Sequence, residues 1–250
     1  MSLSYLRSLT ASERSPEANR HLAYYLTFVA GAANAGGFLA VQHYTSHMSG
    51  IVSAMADHLA LGAVTLFMAG GLALASFIAG AAVCAMLVNW ARRAGLHSEY
   101  ALPLMLEAGL LLTFGLLGGN LDTFRQLFLP ATVLLLCFIM GLQNAMVTKV
   151  SRSEIRTTHI TGMVTDIGIE LGKLFYWNVA RGDEATLVRA NRGKLRVLSA
   201  LVVLFFVGGL AGAWGFKHAG FIATLPLAAL LCVLAMVPVL DDLRARVAAR

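Results

Sequence analysis

The chain has 250 residues, of which 58% are hydrophobic and only 13% charged, and its mean hydropathy is +0.73. A soluble domain carries about 25% charged residues, so this composition excludes an ordinary soluble enzyme or binding module and points to a lipid bilayer as the solvent. The net charge of +6 does not point to nucleic acid, because the basic stretches are short, lack interleaved aromatic residues and fall between apolar runs.

Residues 1–20 are polar and charged and read as a cytoplasmic N-terminal segment. They lack the short apolar region and small-residue cleavage site of a signal peptide, so the first apolar run is expected to stay as an anchor. About 20 apolar residues cross a bilayer as a helix. Spans are expected at His21–Val41, Leu66–Trp90, Ala101–Gly119, Leu127–Val150, Leu195–Phe216 and Phe221–Leu240. Two shorter helices, His47–Leu61 and Thr158–Trp177, fall between the first and second and between the fourth and fifth spans. The chain divides into residues 21–119, a linker at 120–126, residues 127–240 with a basic loop at 178–194, and a tail at 241–250.

Cytoplasmic loops carry an excess of Lys and Arg. The N-terminal segment, the Arg92-Arg93 loop, the loop around Arg181–Arg196 and the tail with Arg244, Arg246 and Arg250 are therefore assigned to the cytoplasm. The linker 120–126 and the connection Lys217–Gly220 are assigned outside. The helix from His47 must then start and finish on the outer side, and the helix from Thr158 on the inner side. A model with eight full spans would put Arg92, Arg93, Lys149, Arg152 and Arg156 outside, against the charge rule.

The chain also repeats itself. Thr45-Ser46-His47-Met48-Ser49-Gly50-Ile51-Val52-Ser53 returns as Thr157-Thr158-His159-Ile160-Thr161-Gly162-Met163-Val164-Thr165, with four of nine positions identical. Upstream, Gly31-Ala32-Ala33-Asn34-Ala35 is answered by Gly141-Leu142-Gln143-Asn144-Ala145. Leu102-Pro103-Leu104 is echoed by Leu225-Pro226-Leu227, and Phe77-x-x-Gly80 more loosely by Phe206-x-x-Gly209. Such self-similarity marks a duplicated unit. Each unit holds three spans, an odd number, so the second is expected upside down relative to the first. The fold class is an all-α membrane protein: six transmembrane helices plus two re-entrant or discontinuous motif helices in an inverted repeat of three and three, a plan found in transporters.

On a helix, Ser46, Ser49 and Ser53 share one face, with Asp57 one turn on, and Thr158, Thr161 and Thr165 repeat it. Beside them run His47, Gly50, Ala54 and His58, matched by His159, Gly162, Asp166, Glu170 and Lys173. Hydroxyls at a helix N-terminus meet unpaired N–H groups and the positive end of the dipole, a setting for an anion or polar solute. They can equally bond back to their own helix. The candidate binding residues are Asn34, Ser46, His47, Ser49, Asn144, Thr158, His159 and Thr161. Ionisable groups at membrane depth are costly and face a cavity or a partner, and histidine titrates near neutrality. The candidates for proton or ion coupling are thus His47, Asp57, Glu107, His159 and Asp166. Glu107 breaks the symmetry, because its counterpart is about Leu230. Glu170 and Lys173 can pair with each other and are expected on a solvated face.

Cys84, Cys137 and Cys232 each stand alone, without CxxC or Cys/His ligand spacing. Nucleotide-binding and hydrolase motifs are missing. No catalytic residue, metal or cofactor is expected.

These motifs, from the early Asn-Ala with Thr-Ser-His-Met-Ser-Gly to Gly-Leu-Gln-Asn-Ala and Arg156-Thr-Thr-His-Ile-Thr-Gly162, resemble the YoaK-like family of bacterial integral membrane proteins, catalogued as a domain of unknown function. The resemblance runs from about Leu22 to Leu240. It implies a six-span bacterial inner-membrane protein and supplies no substrate. The functional expectation is a transporter or channel for a small polar or anionic solute. Its site would lie between the two motif helices near the bilayer midplane, with room for proton coupling. The rival is a non-transporting scaffold or sensor, a candidate homodimer, whose glycines (Gly70-Gly71, Gly208-Gly209-x-x-Gly212) serve packing.

Overall fold

The computed structural model describes residues 5, 6, 9, 15–41, 45–96, 99–119, 125–150, 160–176 and 187–248, and all regular structure among them is helical. The helices are α1 (Pro16–Val41), α2 (Met48–Ala60), α3 (Val64–Arg93), α4 (Ala101–Gly118), α5 (Arg125–Val150), α6 (Ile160–Phe175), α7 (Arg192–Ala219) and α8 (Thr224–Ala248), with a 3-10 turn at Gly220–Ala223 between the last two.

Local chemistry sets several of the ends. The Ser15 hydroxyl accepts the Ala18 N–H at 3.1 Å, and Pro16 follows at the first helical position, where its missing N–H costs nothing. The Asn191 side chain likewise accepts the Lys194 N–H at 2.9 Å and opens α7. α2 turns into α3 through Leu61-Gly62-Ala63, where Gly62 has φ +69, a conformation that a Cβ would strain.

Four stretches among the described residues are long and apolar enough to cross a membrane: Val64–Arg93, Ala101–Gly118, Leu129–Lys149 and Arg192–Asp242. The last is divided between α7 and α8. The protein is therefore a helical membrane protein. Large apolar side chains face outward along α3 (Leu66, Leu72, Ile78, Met86) and along α7 (Val203, Phe206, Leu210), as a lipid-facing surface requires.

Two helix pairs cross with backbone against backbone. In the first, a Cβ on Gly80 would overlap the Phe138 carbonyl, and one on Gly141 the Phe77 carbonyl. The Ser76 hydroxyl donates to the Leu134 carbonyl at 2.7 Å, and Lys149 Nζ to Asn89 Oδ1 at 3.4 Å. These contacts advance together along both chains, so α3 and α5 run parallel. In the second pair, a Cβ on Gly31 would overlap the Phe205 carbonyl, one on Gly208 the Phe28 carbonyl and one on Gly212 the Ala32 carbonyl. Gly36 lies against the Phe216 ring, and α1 and α7 are parallel as well. α4 and α8 are antiparallel, with Gly115 and Gly118 facing Thr224 and Phe221. The rings of Phe114, Phe216 and Phe221, 5.6–5.9 Å apart, join α4, α7 and the 3-10 turn.

These crossings correct one register. Gly31 and Gly141 are equivalent in the sequence repeat, and they receive the carbonyls of Phe205 and Phe77 respectively. Phe77-x-x-Gly80 therefore corresponds to Phe205-x-x-Gly208, one residue earlier than the expected Phe206-x-x-Gly209. The Gly208 and Gly212 positions are engaged against α1 within the chain.

Helix ends also extend beyond the expected spans. α1 begins at Pro16, α3 runs from Val64 to Arg93, α7 begins at Arg192 and α8 continues to Ala248. Amphipathic ends of this kind carry polar residues that hydropathy discounts, although the backbone hydrogen bonding simply continues.

Candidate functional site

Each motif helix folds back against the first part of the long helix that follows it. On α2, Ile51 and Met55 face Gly70 of α3. Thr45 and His58 line one cavity together with Leu66, Gly70 and Ala73. On α6, Met163 packs with Ala23, Leu198 and Leu201, while Asp166 and Glu170 reach the start of α7. The N-terminal end of each motif helix therefore lies roughly ten residues, about 15 Å, along its neighbour.

Among the expected binding residues, Asn34 and Ser46 come together. Asn34 is buried in α1, and the Ser46 hydroxyl donates to Asn34 Oδ1 at 2.8 Å. With its one proton given to Asn34, the Ser46 hydroxyl keeps only acceptor capacity, while the Asn34 amide keeps its N–H donors and a second lone pair for a third group. His47 caps α2 with its backbone, its carbonyl accepting the Ile51 N–H at 3.1 Å, and its side chain makes no capping bond. The exposed His47 ring lies over Gly50, where a Cβ would stand 2.7 Å from Nδ1. A side chain at that position would push the imidazole off the helix end, which gives Gly50 a local reason. Ser49 is exposed. Asn144 is half-buried, and its carbonyl accepts the Thr148 hydroxyl at 2.8 Å. Thr161 is exposed, and its carbonyl accepts the Thr165 hydroxyl at 2.8 Å, which is the back-bonded arrangement for Thr165. Thr158 and His159 lie outside the described residues.

The coupling candidates are scattered. Asp57 is exposed near the end of α2. Asp166 Oδ2 pairs with Lys194 Nζ at 3.0 Å, both half-exposed. Glu107 is fully buried in α4, and both of its carboxyl oxygens are without a hydrogen-bond partner among the described residues. Gln143, buried in α5, donates from Nε2 to the Leu26 carbonyl of α1 at 3.1 Å.

Glu170 corrects the expected solvated face. It does pair with Lys173, at 2.9 Å, but its side chain is only 4% exposed. The reason is a second partner distant in sequence, the Asn191 N–H, which donates to Glu170 Oε2 at 2.7 Å. Lys173, and after it the Asn191 amide, hold the carboxyl below the usual carboxylate range. Glu170 thereby fastens the end of α6 to the cap of α7. At the other loop, Arg92 Nε donates to the buried Glu99 at 3.0 Å and Nη2 to the Tyr100 hydroxyl at 3.2 Å, closing the α3–α4 connection.

The cavity under α2 escaped the sequence reading as a site. His58 stood only at the end of a motif line there, and Thr45 only in the repeated stretch. The cavity measures about 210 Å³ and is also walled by Val133 and Cys137 of α5.

The family model described as "Protein of unknown function (DUF1275)" matches residues 22–237, which takes in both motif helices and every crossing described above. Comparison with curated proteins and with solved structures returned no match.

Proposed function

From the premise that the chain belongs to the DUF1275 family, we propose that it is a transporter or channel for a small polar or anionic solute, built as an inverted repeat of two three-span units. The first unit comprises α1 to α4 and the second α5 to α8. Six helices cross, α2 and α6 enter from opposite faces, and both termini are cytoplasmic in a plasma (inner) membrane.

Three facts support the inverted plan. The parallel pairs α1–α7 and α3–α5 exchange partners between the units, using equivalent glycines and phenylalanines. α4 and α8, which are equivalent to each other, pack antiparallel. Gln143 of α5 holds α1 at Leu26, and these helices are also equivalent. In three-span units related by inversion, each helix must oppose its own counterpart and run with the counterpart's partner, and the contacts have this form.

The observation that carries the solute site is the Asn34–Ser46 bond at the start of α2. It sets an amide and a hydroxyl beside the unpaired N–H groups that open α2, and in this reading they lie near the bilayer midplane. In this reading Ser46, His47, Ser49 and Asn34 form the outer half of the site. Thr158, His159, Thr161 and Asn144 form the inner half. Glu107, a buried carboxyl whose oxygens have no hydrogen-bond partner among the described residues, serves coupling.

The test is flux through purified protein in liposomes, with small neutral polyols, amino acids and inorganic anions as the panel. Transport of at least one solute is expected, reduced at least tenfold by Asn34→Ala and by His47→Ala while each variant still elutes as a folded particle. Absence of flux for the whole panel, with His47→Ala and His159→Ala leaving assembly untouched, would favour the scaffold reading instead. The glycines of that rival reading are already engaged inside the chain, at Gly208 and Gly212 against α1 and at Gly70 against Met55.

A further inference from the structure

The cavity beneath α2 is a second feature, built from residues that the solute site does not use. We infer that it is a binding site for a small neutral amphiphile, a fused-ring or similarly compact apolar body with one hydroxyl-type head. The inference is independent of the transport reading.

The first argument is volume. A cavity of about 150 Å³ lined by apolar residues stays dry and takes up benzene. The cavity here is about 210 Å³ and open on one side, so on that scale it encloses roughly eight non-hydrogen atoms, and a two-ring body of about ten fits with one end at the opening.

The second argument is lining. Met55, Leu66, Ala69, Ala73 and Val133 offer an apolar wall, and among the lining side chains only Thr45, His58 and the Cys137 thiol carry polar groups. A water needs two to four polar partners, so this wall favours an apolar body over a water cluster. The His58 imidazole makes no hydrogen bond to any described residue. A half-buried imidazole in that state is an open partner for a single hydroxyl, as acceptor or donor according to its tautomer. A body with one head and no charge matches one such group on an apolar wall.

The third argument comes from the other half of the molecule. By the repeat, Met55 corresponds to Ile167 and His58 to Glu170. By the glycine crossings, Gly70 corresponds to Leu198 and Ala73 to Leu201. At α6 and α7 the equivalent place is filled: Leu198 and Leu201 are buried with Met163 and Ala23, and Ile167 packs on them. The hairpin can therefore be closed by the chain's own side chains. In the first unit Met55 covers Gly70, the short side chain of Ala73 leaves the space beside it open, and the Glu170 position, tied there to Lys173 and Asn191, is taken by His58, which has no hydrogen-bond partner among the described residues.

The experiment uses full-length protein in detergent, with 2-naphthol as the probe and naphthalene as its counterpart without a head. Binding is followed by naphthol fluorescence and by thermal shift. Saturable binding of 2-naphthol is expected, roughly five- to tenfold tighter than naphthalene, the scale of one hydrogen bond. His58→Ala should bring the two probes to the same affinity. Filling the cavity with the second unit's residues, Met55→Ile with Gly70→Leu and Ala73→Leu, should abolish saturable binding, leaving only the uptake that empty micelles show. Undiminished binding by the filled variant overturns the inference, as does saturable binding whose preference for naphthol survives His58→Ala. If the filled variant does not fold, the probe ratio in His58→Ala decides by itself.

Discussion

The hairpin of α2 with α3 and the hairpin of α6 with α7 share the same repeated start and are finished in different ways. The first has small residues at Gly70 and Ala73, a tight turn at Gly62, and a cavity with His58 on its wall. The second has leucines at the equivalent places and two polar ties, Asp166 to Lys194 and Glu170 to Lys173 and Asn191. The contrast teaches that the hairpin geometry does not depend on what fills it. The crossing of the long helices behind it is common to both, whereas the space under the motif helix is open in one and occupied in the other. A duplicated unit can in this way keep its frame and differentiate its interior.

The largest effect is expected where the two halves agree. Gly141→Leu and Gly208→Leu each drive a side chain into a facing carbonyl that belongs to a helix and cannot move aside. Both should lose more than about 3 kcal/mol, beyond ordinary overpacking, and yield little monodisperse protein on size exclusion. A large loss in one crossing and a small loss in the other would break the equivalence of the pairs.

The next effect separates the halves. Leu201→Ala should cost about 2 kcal/mol, the low end of large-to-small changes, because the lipid outside is itself apolar and only packing is lost. Ala73→Leu at the equivalent place should be neutral or stabilising in a thermal-unfolding assay. Equal destabilisation by both would mean that the first hairpin has no room to spare.

The polar tie gives a pH signature to one half. The folded-state pKa of Glu170 is depressed, so its stabilising contribution is present above the ordinary glutamate value of about 4.3. It is lost as the pH falls through the depressed folded value. Glu170→Gln should lower the melting temperature at pH 7, by less than Leu201→Ala does, and the difference from wild type should shrink as the pH is taken below about 4. A difference that stays constant with pH would reduce Glu170 to a packing role.

The smallest expected change in stability is at the Asn34–Ser46 bond. Ser46→Ala removes one hydrogen bond worth about 0.5–1.5 kcal/mol, a small shift in unfolding, yet it should diminish solute flux far more than it diminishes stability. A flux that falls only in step with the folded fraction would assign the bond to packing.

Much of the frame was legible in the sequence because it rests on local rules. Apolar run lengths and the repeated motif announced helices near their observed places, whereas the Ser15-Pro16 start of α1, inside a stretch read as an N-terminal segment, went unread. The Glu170–Lys173 pair follows from helical spacing alone. The Phe-x-x-Gly register was misread by one residue for a definite reason. Phe205-Phe206 and Gly208-Gly209 are doublets, and either member fits the pattern until the facing carbonyl chooses between them. The burial of Glu170 depends on an amide 21 residues away, beyond any periodicity. The cavity is harder still to read, since it is the absence of side-chain volume at Ala73, beside a Gly70 that Met55 covers. Glycine and alanine inside an apolar helix signal close packing as readily as empty space.

The glycine crossings have a mechanical consequence. At each of Gly31, Gly80, Gly141 and Gly208 a carbonyl of the facing helix sits in a notch the width of one missing side chain. Sliding either helix by one residue's rise, about 1.5 Å, would set that oxygen against a neighbouring Cβ. The pairs α1–α7 and α3–α5 are thus keyed, each free to tilt as one beam and barred from gliding lengthwise. If the molecule transports as proposed, its working stroke is a rocking of two stiff levers.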